Sequence, residues 1–139
     1  MAKDSRLYVR RAVVGHLKDD AGYNELAGNR FYGPNPPPMP TWPFGRYGTA
    51  TVVPLRATCL DGARISFTLH AFAKGEDESA VDELAAAIVA SLDGVSLPLE
   101  APYPARLSNV RWTATTTIRD SDEATGWHAI ISMEATVTS

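Results

Sequence analysis

The sequence predicts an α+β fold: an antiparallel sheet of about four strands with two main helices packed on one face, in the order α-β-β-α-β-β. Three observations predict it. Two segments space their apolar residues three and four apart, the period of a helix with one buried face. Others alternate apolar and polar residues, the period of a half-buried strand. The segments follow one another as helix, hairpin, helix, hairpin, which places the helices on one face of an antiparallel layer.

The first helix is expected over residues 5–18, capped by Asp4. Val9, Ala12, Val13, His16 and Leu17 fall on one face, while Arg6, Arg10, Arg11 and Lys18 take mostly the other. Gly22, Gly28 and Gly33 then slow the chain, with room for a short helical turn. A strand is expected over residues 42–50 and a clearer one over 63–74, where Ile65, Phe67, Leu69 and Ala71 alternate with Arg64, Ser66, Thr68 and His70. Asp61-Gly62 invites a tight hairpin turn, but that register sets Pro54 opposite Leu69 and Arg56 opposite Phe67. An irregular excursion over residues 51–61 is therefore expected.

Residues 75–94 predict the surest element, a helix with a Ser79–Asp82 capping box, a stripe of Val81, Leu84, Ala85, Ile88, Val89 and Leu92, and Gly94 as its left-handed stop. Two long strands close the chain. Val110, Trp112, Ala114, Thr116 and Ile118 are expected on one face of the first. Trp127, Ala129, Ile131, Met133, Ala135 and Val137 are expected on one face of the second. The polar residues 120–126 join them as a hairpin tip.

The 139 residues are expected to form a single domain spanning 1–139, long enough to bury a core. A net charge of −3 is too mild for a nucleic-acid binder. The N-terminal residues lack a secretory h-region and cleavage site, and no stretch approaches the ~18 apolar residues of a membrane span. A soluble cytosolic chain without membrane contact is the expectation. Cys59 is the only cysteine, so there is neither a disulfide framework nor a cysteine zinc site.

Motifs for chemistry are sparse. His16, His70 and His128 show no local metal-ligand spacing, and structural or solvated histidines explain them better. A catalytic Cys59 would need a base brought to it by the fold. The acidic run around residues 75–84 is better explained by a helix N-terminus than by a carboxylate pair. Residues 119–123, "RDSDE", lack the glycine and closing glutamate of a calcium loop. No phosphate-binding loop, dinucleotide fingerprint or nucleophile elbow occurs. No cofactor, metal or enzymatic activity is expected.

The most unusual stretch is "NRFYGPNPPPMPTWPFGRYG", residues 29–48, with six prolines, two tyrosines, two phenylalanines and a tryptophan. "PNPPPMP" contains PxxP, which a proline-reading domain could bind. The aromatic flanks Phe31, Tyr32, Trp42 and Phe44 instead suggest docking on a surface, the chain's own sheet or a neighbour.

The ordered set of elements resembles the tail-terminator, or tail-completion, family of long-tailed bacteriophages and gene transfer agents. An amphipathic helix comes first, then "GNRFYG", a proline-rich connector ending in "WPFGRYG", and the strand "ISFTLHAF". The acidic, alanine-rich helix "ESAVDELAAAIVASLDG", the step "SLPLE", and two strands around an Arg-Asp hairpin, "IRDSDEATGWHAIISMEATV", complete the set. The resemblance covers nearly the whole chain. Residues 49–62, "TATVVPLRATCLDG", depart from it, being more apolar than the segment with a tryptophan and polar residues often found there.

The resemblance implies a structural assembly protein without catalysis: a ring, commonly hexameric, at the head-proximal end of a virion or virion-like tail, assembled in the bacterial cytoplasm. It would stop tube polymerisation and dock the head connector, with DNA passing through its lumen without sequence-specific binding. The partners implied are further copies of itself, the tail tube protein and the head connector or stopper protein. Phe31, Tyr32, Pro37, Trp42 and Phe44 of the arm are candidate interface residues. So are Val53, Leu55 and Arg56 of the excursion, and Asp120 and Asp122 of the acidic tip, which would repel passing DNA. A head-side adaptor or stopper, a minor tail protein, a small monomeric interaction module and a small hydrolase are the alternatives.

Overall fold

The computed structural model describes residues 4–57, 60–99, 105–120 and 125–138, with the side chains of residues 56, 57, 60 and 61 set aside. Three helices and six strands follow in the order α1 (Arg6–Lys18), α2 (Ala21–Ala27), β1 (Phe31–Tyr32), β2 (Phe44–Ala57), β3 (Leu60–Lys74), α3 (Ser79–Leu92), β4 (Leu97–Pro98), β5 (Arg106–Arg119) and β6 (Gly126–Thr138). The strands make one sheet, β1-β2-β3-β6-β5-β4. The four expected strands are its antiparallel centre. Two two-residue strands, β1 parallel to β2 and β4 antiparallel to β5, are added at its edges.

The centre of the sheet is the β3–β6 ladder, in register from Gly62↔Thr138 to Lys74↔Gly126 without a shift. Ile65, Phe67, Leu69 and Ala71 of β3 and Ala129, Ile131, Met133, Ala135 and Val137 of β6 therefore point the same way, and all are buried. Above them α3 lies across β3, β5 and β6, and α1 packs on β2. Val9, Val13 and Leu17 of α1 and Val81, Leu84, Ala85, Ile88 and Leu92 of α3 complete this core, as their helical spacing predicts. His16 joins the two helices by an Nε2–H that donates to the Ser91 carbonyl at 3.1 Å.

Helix ends follow local chemistry. The Asp4 carboxylate accepts the Arg6 backbone N–H at 3.1 Å, and Asp20 accepts that of Tyr23 at 2.9 Å, opening α2. At α3 the expected capping box does not form: Asp77 accepts the Ser79 N–H at 2.9 Å, because Ser79 is already inside the first turn. Gly94 takes φ +80° just past α3, the left-handed stop that its position predicts.

Two expectations are corrected. Residues 51–57 are not an irregular excursion but continue β2, pairing with β3 through Pro54↔Ala63 and Arg56↔Asp61. Asp61 and Gly62 lie within the ladder, paired with Arg56 and Leu55, and are not the turn; residues 58–59 lie outside the described residues. Pro54 is tolerated because β1 flanks β2 only at Gly45 and Arg46, so the missing N–H costs no ladder bond on the open edge. A register shift between Tyr47 and Ala50 restores the facing of the strand. The second correction is β5, where shifts at Ser108/Arg111 and Trp112/Ala114, with Asn109 at φ +54°, break the simple alternation. Val110 is buried, whereas Trp112 and Ile118 are exposed.

Gly45 is a tight position: a Cβ there would lie 2.8 Å from the buried Phe31 ring and 2.9 Å from the Tyr23 hydroxyl. Gly45→Ala is expected to destabilise the fold by about 1–3 kcal/mol through overpacking. Gly15, inside α1 with nothing within 4 Å, is the control. Gly15→Ala should stabilise by about 0.5–1 kcal/mol, and urea unfolding of both variants measures the contrast.

Candidate assembly interface

Because side chains alternate along a strand, the same ladder that buries one face of the sheet presents a second. Among the described residues no helix covers it. One row runs across four strands: Phe44, Phe72, His128 and Ile118 are successive register partners on β2, β3, β6 and β5. Phe44 stacks on Phe72 at 4.7 Å between ring centroids, and Phe72 stacks on His128 at 4.3 Å. Trp42 closes the row at its β2 end, edge-on to Phe44 at 5.5 Å and to Phe72 at 5.9 Å. Lys74 Nζ stands 5.2 Å from the Trp42 ring centroid, and the Arg46 guanidinium 5.7 Å from that of Phe72.

The proline arm is thereby an ordered connection that packs on its own sheet. Its two ends are tied together: Gly45 N–H donates to the Arg30 carbonyl at 3.0 Å, and Arg30 Nε donates to the Pro43 carbonyl at 2.9 Å. The Tyr23 hydroxyl also donates to the Arg30 carbonyl, at 2.8 Å. The Trp42–Pro43 peptide is cis. The arm throws its tip outward at Met39, which is 96% exposed.

The candidate residues separate into three groups. Phe31 and Phe44 are buried within the monomer and offer no surface to a neighbour in this conformation. Phe31 meets Tyr23 edge-on, and Tyr32, half-buried, leans on Phe44 at 6.2 Å. Pro37 and Val53 are exposed, and Trp42, Leu55 and Asp120 are half-buried. The Arg56 side chain and all of Asp122 lie outside the described residues. Sequence reading missed Trp112 and Ile118 as surface residues, 49% and 45% exposed, because the bulges of β5 carry no clear sequence signal.

It also missed a histidine pair. His70 and His128 were each legible as second-face residues, but only the β3–β6 register brings them together, His70 Nδ1 to His128 Nε2 at 2.7 Å. That bond needs an N–H on one ring and a bare nitrogen on the other. Burial, then the Arg46 charge and His128, lower the His70 pKa to about 4, and burial and Arg46 lower that of His128. No cluster of three metal-ligating side chains occurs among the described residues. The rest of the face is rich in hydroxyls and cations. Among the described residues, Arg46, Arg64, Lys74, Arg106 and Arg111 share it with Glu134, which Arg111 meets at 3.0 Å and Arg64 at 4.0 Å, and the Asp120 carboxylate lies near enough to act on His128. The face is thus basic in a chain whose net charge is −3.

The molecule thus sets an α-helical layer on one side of the sheet and an aromatic and basic face on the other. Residues 11–138 match the tail completion protein gp17 family, and the chain belongs to that family of phage tail structural proteins. Its fold is that of a chain in the structure described as "Virion of native gene transfer agent (GTA) particle". The two superpose with a TM-score of 0.84 at 21% identity, over 99% of this chain and 100% of that one. A second solved structure, 15% identical over 96% of this chain and 92% of its own, superposes with a TM-score of 0.53. None of the curated proteins matches the chain in sequence at a significant level.

Two outcomes follow from this face. Trp42→Ala removes two edge-on ring contacts and the Lys74 contact, and should cost about 2 kcal/mol in chemical denaturation while leaving the helices intact. The histidine pair sets a pH dependence. Both folded-state pKa values lie below the unfolded value of 6.5, so the unfolded chain binds more protons between about pH 6.5 and pH 4. Stability should fall as pH drops through that window. The fall should be shallower in the His70→Asn/His128→Asn variant, read as the urea midpoint at each pH.

Proposed function

We propose that the protein is a tail terminator: a ring of copies, commonly six, that closes the head-proximal end of a phage-like tail tube within the particle and offers a docking surface to the head connector. The observation that carries the reading is family membership across residues 11–138. The whole-length likeness of fold to a chain of a gene transfer agent virion supports it. A ring fits a chain whose surfaces differ from side to side, because head-to-tail closure uses two different patches of each copy. Its work is binding and geometry, without catalysis. DNA passes through the lumen without sequence readout, and the hydroxyl-rich face, where five cations outnumber Glu134 and Asp120, suits passing contact with phosphates.

Pro37, Val53, Leu55 and Arg56 are proposed to contact neighbouring proteins, with Trp42 holding the arm in place beneath them. The test is the mass of the protein by light scattering over a range of concentrations, alone and with the tail tube protein. A closed ring of about six copies, free or on the tube, is the expected result. A chain that stays monomeric with the tube but binds portal-filled heads is instead a head-side adaptor, and the terminator reading fails.

A further inference from the structure

β2 and β5 are the outer strands of the antiparallel centre of the sheet, and each is covered along only part of its outer edge. β1 pairs with β2 at Gly45 and Arg46 alone. β4 pairs with β5 at Arg106 and Leu107. Beyond β4, the Gly94 N–H donates to the Val110 carbonyl and the Trp112 N–H donates to the Asp93 carboxylate, which extends the cover to residue 112. Among the described residues, residues 49–57 of β2 and 113–119 of β5 have no strand beside their outer edges.

Free strand edges are normally blunted by charge, because an open row of backbone donors and acceptors pairs with any strand it meets. These two are not. Residues 49–55 read TATVVPL and residues 113–118 read TATTTI, without a charged side chain in either. Within those two runs Pro54 is the one residue that blunts an edge. Both stretches are rich in β-branched residues, which suit a strand. Val53, Trp112 and Ile118, three of the six large apolar side chains exposed among the described residues, lie on or beside them.

We infer that copies of the chain join edge to edge, the open edge of β2 in one copy pairing with the open edge of β5 in the next, so that the sheet runs on from subunit to subunit. The inference rests on the ring reading above. The strands β2, β3, β6 and β5 alternate in direction, so β2 and β5 run opposite ways. Rotation from one copy to the next preserves those directions, and the new pair is antiparallel.

The two stretches also lie at opposite ends of the sheet. Thr116 shares a row with Ile130, His70 and Arg46, whereas Val53 shares one with Arg64, Thr136 and Ser108. On the unshifted β3–β6 ladder these rows are His70 and Arg64, six residues apart, about 20 Å at ~3.3 Å per residue. A stagger from copy to copy is what a sheet closing on itself requires. Thr51 and Val53 continue the second face on one side of the join, and Ala114, Thr116 and Ile118 on the other, with no like charges opposed. A foreign strand would cover one edge and leave the other open, whereas a ring of copies covers both.

Two variants test it, each placing paired lysines on exposed side chains of one edge: Thr51→Lys/Val53→Lys and Ala114→Lys/Thr116→Lys. Circular dichroism and the urea midpoint confirm that each is folded. Under the conditions in which the unmodified chain closes its ring, each variant alone should remain monomeric by light scattering. An equimolar mixture should stop at a dimer, since it retains one intact edge of each kind. In the unmodified ring, amides of residues 49–57 and 113–119 should exchange at least tenfold more slowly than in the monomer. A full ring formed by either variant, or unchanged exchange in both stretches, overturns the edge contact and leaves the ring reading standing. An unmodified chain that forms no ring with or without the tube overturns both.

Discussion

The uninterrupted pairing of β3 with β6 is the constraint on which the rest of the molecule depends. A strand has a period of two, so a slip of one residue would carry every side chain to the opposite face. With Ile65 opposite Ala135 and Ala71 opposite Ala129, the apolar sets of both strands bury together under α3. The same register sets Phe72 opposite His128 and brings His70 to His128 on the other side. Core and second face are two consequences of one alignment. Neither could be rebuilt without disturbing the other.

Irregularity is confined to the strands outside that pair. β2 carries a bulge next to Gly48, where the Thr68 hydroxyl and the His70 ring crowd the space a Cβ would fill. β5 carries two shifts and a left-handed Asn109. Bulges at sheet margins re-aim side chains at the cost of a local ladder bond. Here Trp112 lies between the two shifts of β5, and both it and Ile118 are exposed on the strand nearest the open edge. The regular centre provides stability, and the irregular margins provide surface.

The proline arm belongs to the same economy. A connection must cross from β1 to β2, which lie side by side in parallel, and a parallel neighbour requires the chain to travel back over the sheet end. Prolines reduce the freedom that such a crossing loses on ordering. Trp42 and Phe44 anchor its far end on Phe72, so the tip at Met39 is presented from a fixed base.

By itself the sequence determined what depends on short-range periodicity. The buried stripes of α1 and α3, the alternation of β3 and β6, the left-handed stop at Gly94 and the placement of His70 and His128 on a second face were all legible, because each is written within a dozen residues. The ordered motifs also carried the resemblance to the tail-completion family. What only the tertiary structure decided is whatever depends on which strand lies beside which. Continuation of β2 through Pro54 needed the knowledge that its outer edge is open. The Phe44–Phe72–His128 row, the histidine pair, the burial of Phe31 against Gly45 and the two uncovered edges each join residues from distant parts of the chain. Long-range register is selected by the packing of the whole sheet, and no local pattern encodes it.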